Sequence, residues 1–295
     1  MRPLRIHIPN GFHHVTLRGN HRQDIFHTDK DRELLGRFVD HAAGEHGARV
    51  HAYCWMTNHI HAVIQVSDTP LGEVIRSIAS RYARRFQWGI GTTGHLFERR
   101  YHAVLVDADG YLLTLLKYLH FNPVRAGLCG DPVDYPWSSH RDYLGLRCTP
   151  WLHTGFALRL FSREPGQARA RYAKWMGVVE ETRWGQGLLA PHPDNPQVLG
   201  NDCFLARIRE VIQEQRHCGS FADLLEECAA RYGLSIEAIT SPSRSRGLTT
   251  ARAWLYHEAL ARGVASVSEM ARHCRRSESA VRSVMLRYRA PGVGE

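Results

Sequence analysis

Two histidines separated by one apolar residue, His59-Ile60-His61, are the first candidates for chemistry in this chain. On a β-strand alternate side chains share a face, so both imidazoles point one way while Ile60 points toward a core. Two neutral imidazoles on one face can hold a divalent metal. The chain has 19 histidines, so such a pair also arises by chance and needs support from elsewhere. Tyr118 and Asn122 offer it. Four apart at the end of an apolar helix, they face the same way, with Leu115 and Leu119 turned toward the core. The Asn122 amide oxygen could be a third ligand, and the phenol one turn earlier would then lie close to the ion. A metal so held polarises a phosphodiester, and a tyrosine oxygen can attack that phosphorus and hold the strand covalently. Read as ordinary structure, the same residues are two edge histidines, a buried tyrosine bonding through its hydroxyl, and a helix-end cap before Pro123.

Tyr82 is the rival nucleophile. It sits on a basic helix among Arg76, Arg81, Arg84 and Arg85, where an aromatic could equally pack or stack on a base. Tyr118 is preferred because Asn122 shares its face. Arg81, Arg84, Arg85, Arg99 and Arg100 are candidate phosphate contacts, and each could also be plain surface charge. His13 and His14 flank the opening strand, and one could approach the site from a neighbouring strand, although a structural role is the simpler reading. Trp137 reads as a core anchor at the end of the first domain.

The elements that must position these residues follow from periodicity. Phe12 to Arg18 reads as a strand closed by the turn Gly19-Asn20. Asp31 to His46 reads as a helix, Val50 to Met56 as a strand, and His59 to Val66 as another. Leu71 to Phe86 suits a basic amphipathic helix, and Asp109 to His120 a further helix stopped near Asn122-Pro123. This order predicts an α+β fold, a ferredoxin-like antiparallel sheet with helices on one face. Residues 1–148 form the expected catalytic domain. Residues 149–200, ending in Pro191, Pro193 and Pro196, read as a partly ordered connector. Residues 201–295 read as an all-helical domain, with helices over 204–213, 221–232, 250–261, 267–274 and 277–288. Ser266 before one helix, a short Arg275-Arg276 connection and Ser277 before the next resemble a helix-turn-helix.

The chain's 295 residues carry a formal net charge of +9, which favours polyanionic partners. Between Arg244 and Arg289 ten arginines face three acids, Glu258, Glu269 and Glu278, a surplus suited to a DNA backbone. Within it Arg244, Arg246, Arg275, Arg276 and Arg282 are candidate DNA contacts. No apolar run of spanning length and no secretory signal is evident, so no membrane partner is expected. Seven scattered cysteines without a CxxC pair argue against a disulfide framework and a cysteine-rich zinc site, and favour a reducing cytoplasm.

Several ordered motifs now carry a resemblance. Gly-Phe-His-His-Val-Thr-Leu-Arg-Gly-Asn at 11–20, Gln-Asp-Ile-Phe at 23–26, Trp-Met-Thr-Asn-His-Ile-His at 55–61, Gly-His-Leu-Phe-Glu-Arg-Arg-Tyr at 94–101, Lys-Tyr-Leu-His-Phe-Asn-Pro-Val-Arg-Ala-Gly-Leu at 117–128 and Tyr-Pro-Trp-Ser-Ser at 135–139 resemble the IS200-like single-tyrosine transposases, and among them the group associated with repetitive extragenic palindromes. The resemblance covers about residues 6–145. It implies that His59 and His61 are the family's histidine-hydrophobic-histidine metal ligands, that Asn122 is the third, and that Tyr118 is the nucleophile. It implies magnesium or manganese, no nucleotide cofactor, and cleavage of single-stranded or hairpin DNA through a 5′-phosphotyrosine link with a free 3′-hydroxyl. It further implies homodimers among mobile-element members and a bacterial, nucleoid-associated setting. Thr57 stands where the family often has proline, and Cys129 where an aliphatic residue is common.

Residues 201–289 resemble the DNA-binding domain of the replication initiator DnaA, through Tyr232-Gly-Leu-Ser, Ser243-Arg-Ser-Arg-Gly, Ala251-Arg-Ala-Trp-Leu-Tyr and the 277–288 segment. That resemblance implies a helix-turn-helix that enters duplex DNA. No Walker A motif is present, so an initiator ATPase is excluded. Two other functions compete with a transposase: a non-catalytic DNA-binding regulator on the same scaffold, and a metal-dependent hydrolase that uses water and has no need of Tyr118.

Overall fold

The computed structural model describes residues 6–98, 100–178, 189–217, 221–243 and 245–287. Arg99 and Arg244, both candidate phosphate contacts, and the end of the 277–288 helix lie outside the described residues. The chain divides into two compact units, Met1–Leu205 and Ala206–Glu295.

In the first unit, β1 (Phe12–Arg18), α1 (Asp29–His46), β2 (Arg49–Trp55), β3 (His59–Gln65), α2 (Leu71–Ile90) and β4 (His102–Val106) follow one another. The sheet order is β2-β3-β1-β4, all antiparallel, and β5 (Val198–Leu199) adds to β4 in parallel. This is the expected ferredoxin-like arrangement, with β4 an element that the sequence pattern did not reveal. His102-Ala-Val-Leu-Val is short and, buried on both faces at its end, lacks the apolar–polar alternation that marks a half-exposed strand.

Each strand's alternation serves two cores. Val15, Leu17, Ile60, Ala62 and Ile64 face α1 and α2, which contribute Leu35, Val39, Val74, Ile75 and Ile78. Phe12, Val63, Val104 and Val106 face α3 (Ala108–Arg125) and, beyond it, α4 (His140–Leu144), α5 (Gly155–Arg159) and α6 (Pro165–Gly177). Helices therefore flank both faces rather than one. The α1–α2 layer is the predicted one, and the second layer arises because the even positions of β1 begin with Phe12, too apolar to leave in water. Two of these helices, α5 and α6, lie inside the stretch expected as a connector. Ala168, Tyr172 and Met176, at helical spacing along α6, are buried against α3 and α4.

α3 does not stop before Pro123. It continues to Arg125, with Pro123 inside its last turn and the Ala126 amide donating to the Asn122 carbonyl. Proline here forfeits only one hydrogen bond close to a helix end, a smaller loss than in mid-helix.

The second unit is helical: the remainder of α7 (Asp202–His217), α8 (Phe221–Tyr232), α9 (Ile236–Thr240), α10 (Arg246–Ala261), α11 (Val267–His273) and α12 (Glu278–Arg287). Leu224, Cys228, Ile239, Leu255, Met270 and Val281 meet in its core. Ser266 caps α11 in a reciprocal box with Glu269. Arg252 is buried, and its guanidinium donates to the carbonyls of Ile239 at 2.7 Å, Ser241 at 2.6 Å and Ser243 at 2.5 Å, so it shapes the loop between α9 and α10. Among the described residues no helix is long and apolar enough to cross a membrane.

Candidate active site

Register decides which histidines share a face. In the β1–β3 pair Thr16 stands opposite His61 and Arg18 opposite His59, and on the other side of β1 Thr16 pairs with His102. His14, Thr16 and Arg18 of β1, His59 and His61 of β3, and His102 of β4 thus occupy one face, the α3 side of the sheet. His14 is therefore the one of the two opening histidines that reaches the site. Its Nε2 lies 3.0 Å from His61 Nδ1, and Thr16 Oγ1 lies 3.2 Å from the same nitrogen. His13 points to the opposite face.

His59 is oriented from below the strand. Its Nδ1 lies 2.7 Å from Asn58 Oδ1. Asn58 is itself tied down, with its Nδ2 donating to the Arg22 carbonyl and its carbonyl accepting from the Gly19 amide at 2.8 Å. The turn closes so tightly that a Cβ on Gly19 would lie 2.1 Å from the Gln23 carbonyl oxygen, so only glycine fits there. Donation from Nδ1 to an amide oxygen leaves the His59 Nε2 lone pair as the free acceptor, the tautomer a metal ligand needs.

All three rings are held neutral. Burial pushes His14 down to about 4, with His102 adding repulsion. Burial also lowers His59 to about 4, with Arg18 contributing. His61 lies well below the ordinary histidine value because of burial, reinforced by His14, His59, Arg18 and Arg125. Neutral imidazoles keep a lone pair for coordination at neutral pH.

α3 brings the tyrosine to this face. The Tyr118 ring stands edge-on to both His61, at 6.0 Å between centroids, and His14, at 6.2 Å. Its other side is covered by the Arg125 guanidinium, 4.7 Å from the ring centre, a placement that follows from their spacing of two turns on one helix. Asn122, one turn on from Tyr118, is buried, and its Nδ2 makes no hydrogen bond. A buried amide without partners costs free energy unless something else supplies them. Among the described residues no group of three or more His, Cys, Asp and Glu side chains could hold a metal ion. The set in question contributes only His59 and His61 to that class, and its third member is an amide.

Tyr82 stands apart from this chemistry. It is fully buried in the α1–α2 core, its hydroxyl donates to the Ile25 carbonyl, and burial raises its phenol far above the usual value. Arg81, Arg84 and Arg85 ride on α2, the layer opposite the histidine face. Arg81 pairs with Glu45 at 3.0 Å, Arg85 covers the Trp88 ring at 4.3 Å, and Arg84 is exposed, as is Arg100. Trp137 packs against the α1–α2 core. In the helical unit Arg246 and Arg275 are exposed, Arg282 lies 3.5 Å from Glu278, and Arg276 donates to the Pro242 and Ser243 carbonyls, so its guanidinium supports the loop before α10. Sequence spacing did not single out Thr16, Arg18, His102 or Arg125 as site residues. Arg125 carried a signal, since it follows Tyr118 by seven residues on one helix face. The others become neighbours only through strand register.

The solved structures similar to this chain include the following two. One is a REP-associated tyrosine transposase bound to a REP hairpin, with 20% identity over 52% of this chain and 92% of that one, at a TM-score of 0.43. The other is a protein from Deinococcus radiodurans R1 assigned by name to the transposases, with 15% identity over 39% of this chain and 94% of that one, at a TM-score of 0.30. No curated protein matches the chain. Residues 9–122, from just before β1 to Asn122 on α3, match the family described as "Transposase IS200 like".

Proposed function

We propose that this protein is a metal-dependent single-stranded DNA endonuclease and strand transferase with Tyr118 as its nucleophile. The observation that carries the reading is the meeting of Tyr118 with His61 and His14 across the helix–sheet boundary, within a stretch that matches an IS200-like transposase family.

The Tyr118 oxygen attacks a phosphodiester phosphorus. A phosphotyrosine bond forms to the 5′ end of the downstream strand as the bond from phosphorus to the 3′-oxygen of the upstream strand breaks. The phenol proton is given up, and the departing 3′-oxygen takes one. A 3′-hydroxyl attacking the phosphotyrosine reverses these changes and rejoins strands, so no nucleotide cofactor is consumed. His59, His61 and Asn122 would hold magnesium or manganese. The donor set fits, with two neutral imidazoles and an orphaned buried amide, whose oxygen and nitrogen positions can exchange by a flip. A divalent ion there supplies charge stabilisation to the phosphate oxygens. Asn58 and His14 hold the two imidazoles through Nδ1, and Arg125 lies where it can attract the scissile phosphate.

The substrate is proposed to be single-stranded DNA beside a hairpin. The helical unit, with its exposed Arg246 and Arg275 and its α11–α12 pair, is proposed to bind hairpin or duplex DNA in the manner implied by the DnaA resemblance. Incubation of the protein with labelled single-stranded hairpin DNA and manganese should give a covalent protein–DNA band. Tyr118→Phe and His59→Ala/His61→Ala should each abolish it. Cleavage without an adduct, surviving Tyr118→Phe, would favour hydrolysis by water instead, and tight binding without cleavage on a DNA known to carry the correct site would favour a regulator.

A further inference from the structure

Tyr118 is flanked on α3 by two buried polar side chains that point away from the histidine face. At about 100° per residue, His120 projects from nearly the opposite side of the helix to Tyr118 and Asn122, and Lys117 from the flank about a quarter turn from Tyr118. Lys117 is 2% exposed, and its ammonium donates to the Trp175 carbonyl at 2.8 Å and the Val178 carbonyl at 2.6 Å. It also lies 4.8 Å from the centre of the Trp175 ring. These carbonyls are at the C-terminal end of α6, where main-chain oxygens lack helical partners and the helix dipole favours a cation. One turn further along α3, His120 Nδ1 lies 2.8 Å from the Tyr172 hydroxyl of α6, and its Nε2 lies 2.8 Å from Ser139 Oγ. Ser139 accepts the Tyr53 amide of β2 at 3.0 Å. The tyrosine helix is thus bonded through its back to α6 and to the sheet.

We propose that Lys117 is a positioning residue for Tyr118, and that α6 is the bracket that holds it. The inference rests on Tyr118 being the nucleophile. α6 lies beyond the family-matched residues 9–122, so this part of the chain adds to the site from outside them. The physical argument is one of degrees of freedom. Burial of the leucines on α3 selects which face meets the sheet but leaves small slides and rolls cheap, because the hydrophobic effect is non-directional. The two Lys117 bonds and the His120–Tyr172 bond are directional, and they sit at both ends of the turn that contains Tyr118. Together they fix its rotation about the α3 axis, which sets the approach of the phenol to the histidine face.

The test uses the full chain as wild type, Lys117→Met, Lys117→Arg and Tyr172→Phe. Two quantities are measured: hydrogen exchange of the α3 amides, and the single-turnover rate of manganese-dependent adduct formation on labelled hairpin DNA, with hairpin affinity determined alongside. In Lys117→Met, exchange across 118–122 should quicken and the adduct rate should fall roughly 10- to 100-fold, the scale of a misplaced reacting group, with hairpin affinity unchanged. Lys117→Arg should recover part of the rate, and Tyr172→Phe should show a smaller loss of the same kind. Wild-type exchange and rate in Lys117→Met would overturn the proposal, as would a parallel loss of affinity and rate that Lys117→Arg does not relieve. If Lys117→Met does not fold, Tyr172→Phe decides by the same two measurements. Absence of any adduct in the wild type would sink the Tyr118 reading instead, and α3 exchange would then decide whether the bracket exists.

Discussion

Tyr82 and Tyr118 are both helical tyrosines near arginines, and their surroundings separate them. The Tyr82 hydroxyl is spent on the Ile25 carbonyl deep in the α1–α2 core, whereas Tyr118 is half-buried between the Arg125 guanidinium and the edges of His61 and His14. Tyr82→Phe removes one buried hydrogen bond and leaves a carbonyl unpaired, so it should lower unfolding free energy by about 1–3 kcal/mol in urea titrations while leaving adduct formation at the wild-type rate. Loss of the adduct in that variant, with the fold intact, would reopen the choice of nucleophile. The His59–His61 pair was legible from spacing alone, because the two-residue repeat of a strand is independent of its neighbours. His14 was not, since its contact with His61 depends on how β1 and β3 are registered.

Between elements, the second helical layer is sealed by a polar network. His140 Nδ1 lies 2.6 Å from the Tyr172 hydroxyl, which also meets His120. Burial lowers His140 to about 4 and places His120 well below its ordinary value, with His140 repelling it further. A histidine whose value is depressed by folding takes up its proton more readily when unfolded. Its stabilising contribution is therefore complete above about pH 6.5 and is lost as pH falls toward 4. For His140 the loss should be roughly 3 kcal/mol over that window, measured as unfolding free energy at successive pH values. His140→Gln should flatten the slope there, and an unchanged slope would show that other groups set the acid limit. The extent of this layer was not legible in the sequence. α6 has ordinary helical periodicity, but a proline-rich stretch follows it, and nothing local distinguishes a packed helix from one in a linker.

The chain couples a mixed α/β unit with a helical one, and its positive charge is shared: 24 Lys and Arg against 19 Asp and Glu over 1–205, and 14 against 10 over 206–295, where the excess gathers in residues 244–289. Truncation after Leu205, the end of the first compact unit, should weaken hairpin binding and reduce the dependence of log affinity on log salt by roughly 0.7–0.9 for each phosphate that the truncated chain no longer neutralises. Adduct formation at saturating DNA should persist. Affinity and salt slope equal to those of the full chain would show that the helical unit takes no part in DNA binding. Arg276 is the candidate there whose role the structure redefines. Its bonds to the Pro242 and Ser243 carbonyls make it a support for the α9–α10 loop, a use that its place in an arginine-rich segment did not suggest.

The elements readable before any fold is known are those whose signals are local: the β1, β2 and β3 alternation, the amphipathic α1 and α2, the caps of the C-terminal helices, and the shared faces of His59 with His61 and Tyr118 with Asn122. These follow from backbone periodicity and need no partner. The packed fold adds that His14 and Thr16 meet His61, that Arg125 covers Tyr118, and that helices lie on both faces of the sheet. It alone joined Lys117 and His120 to α6. Such contacts join residues far apart in the chain, and they depend on strand register and helix rotation, which are selected by burial of the whole apolar surface rather than by any local run of residues.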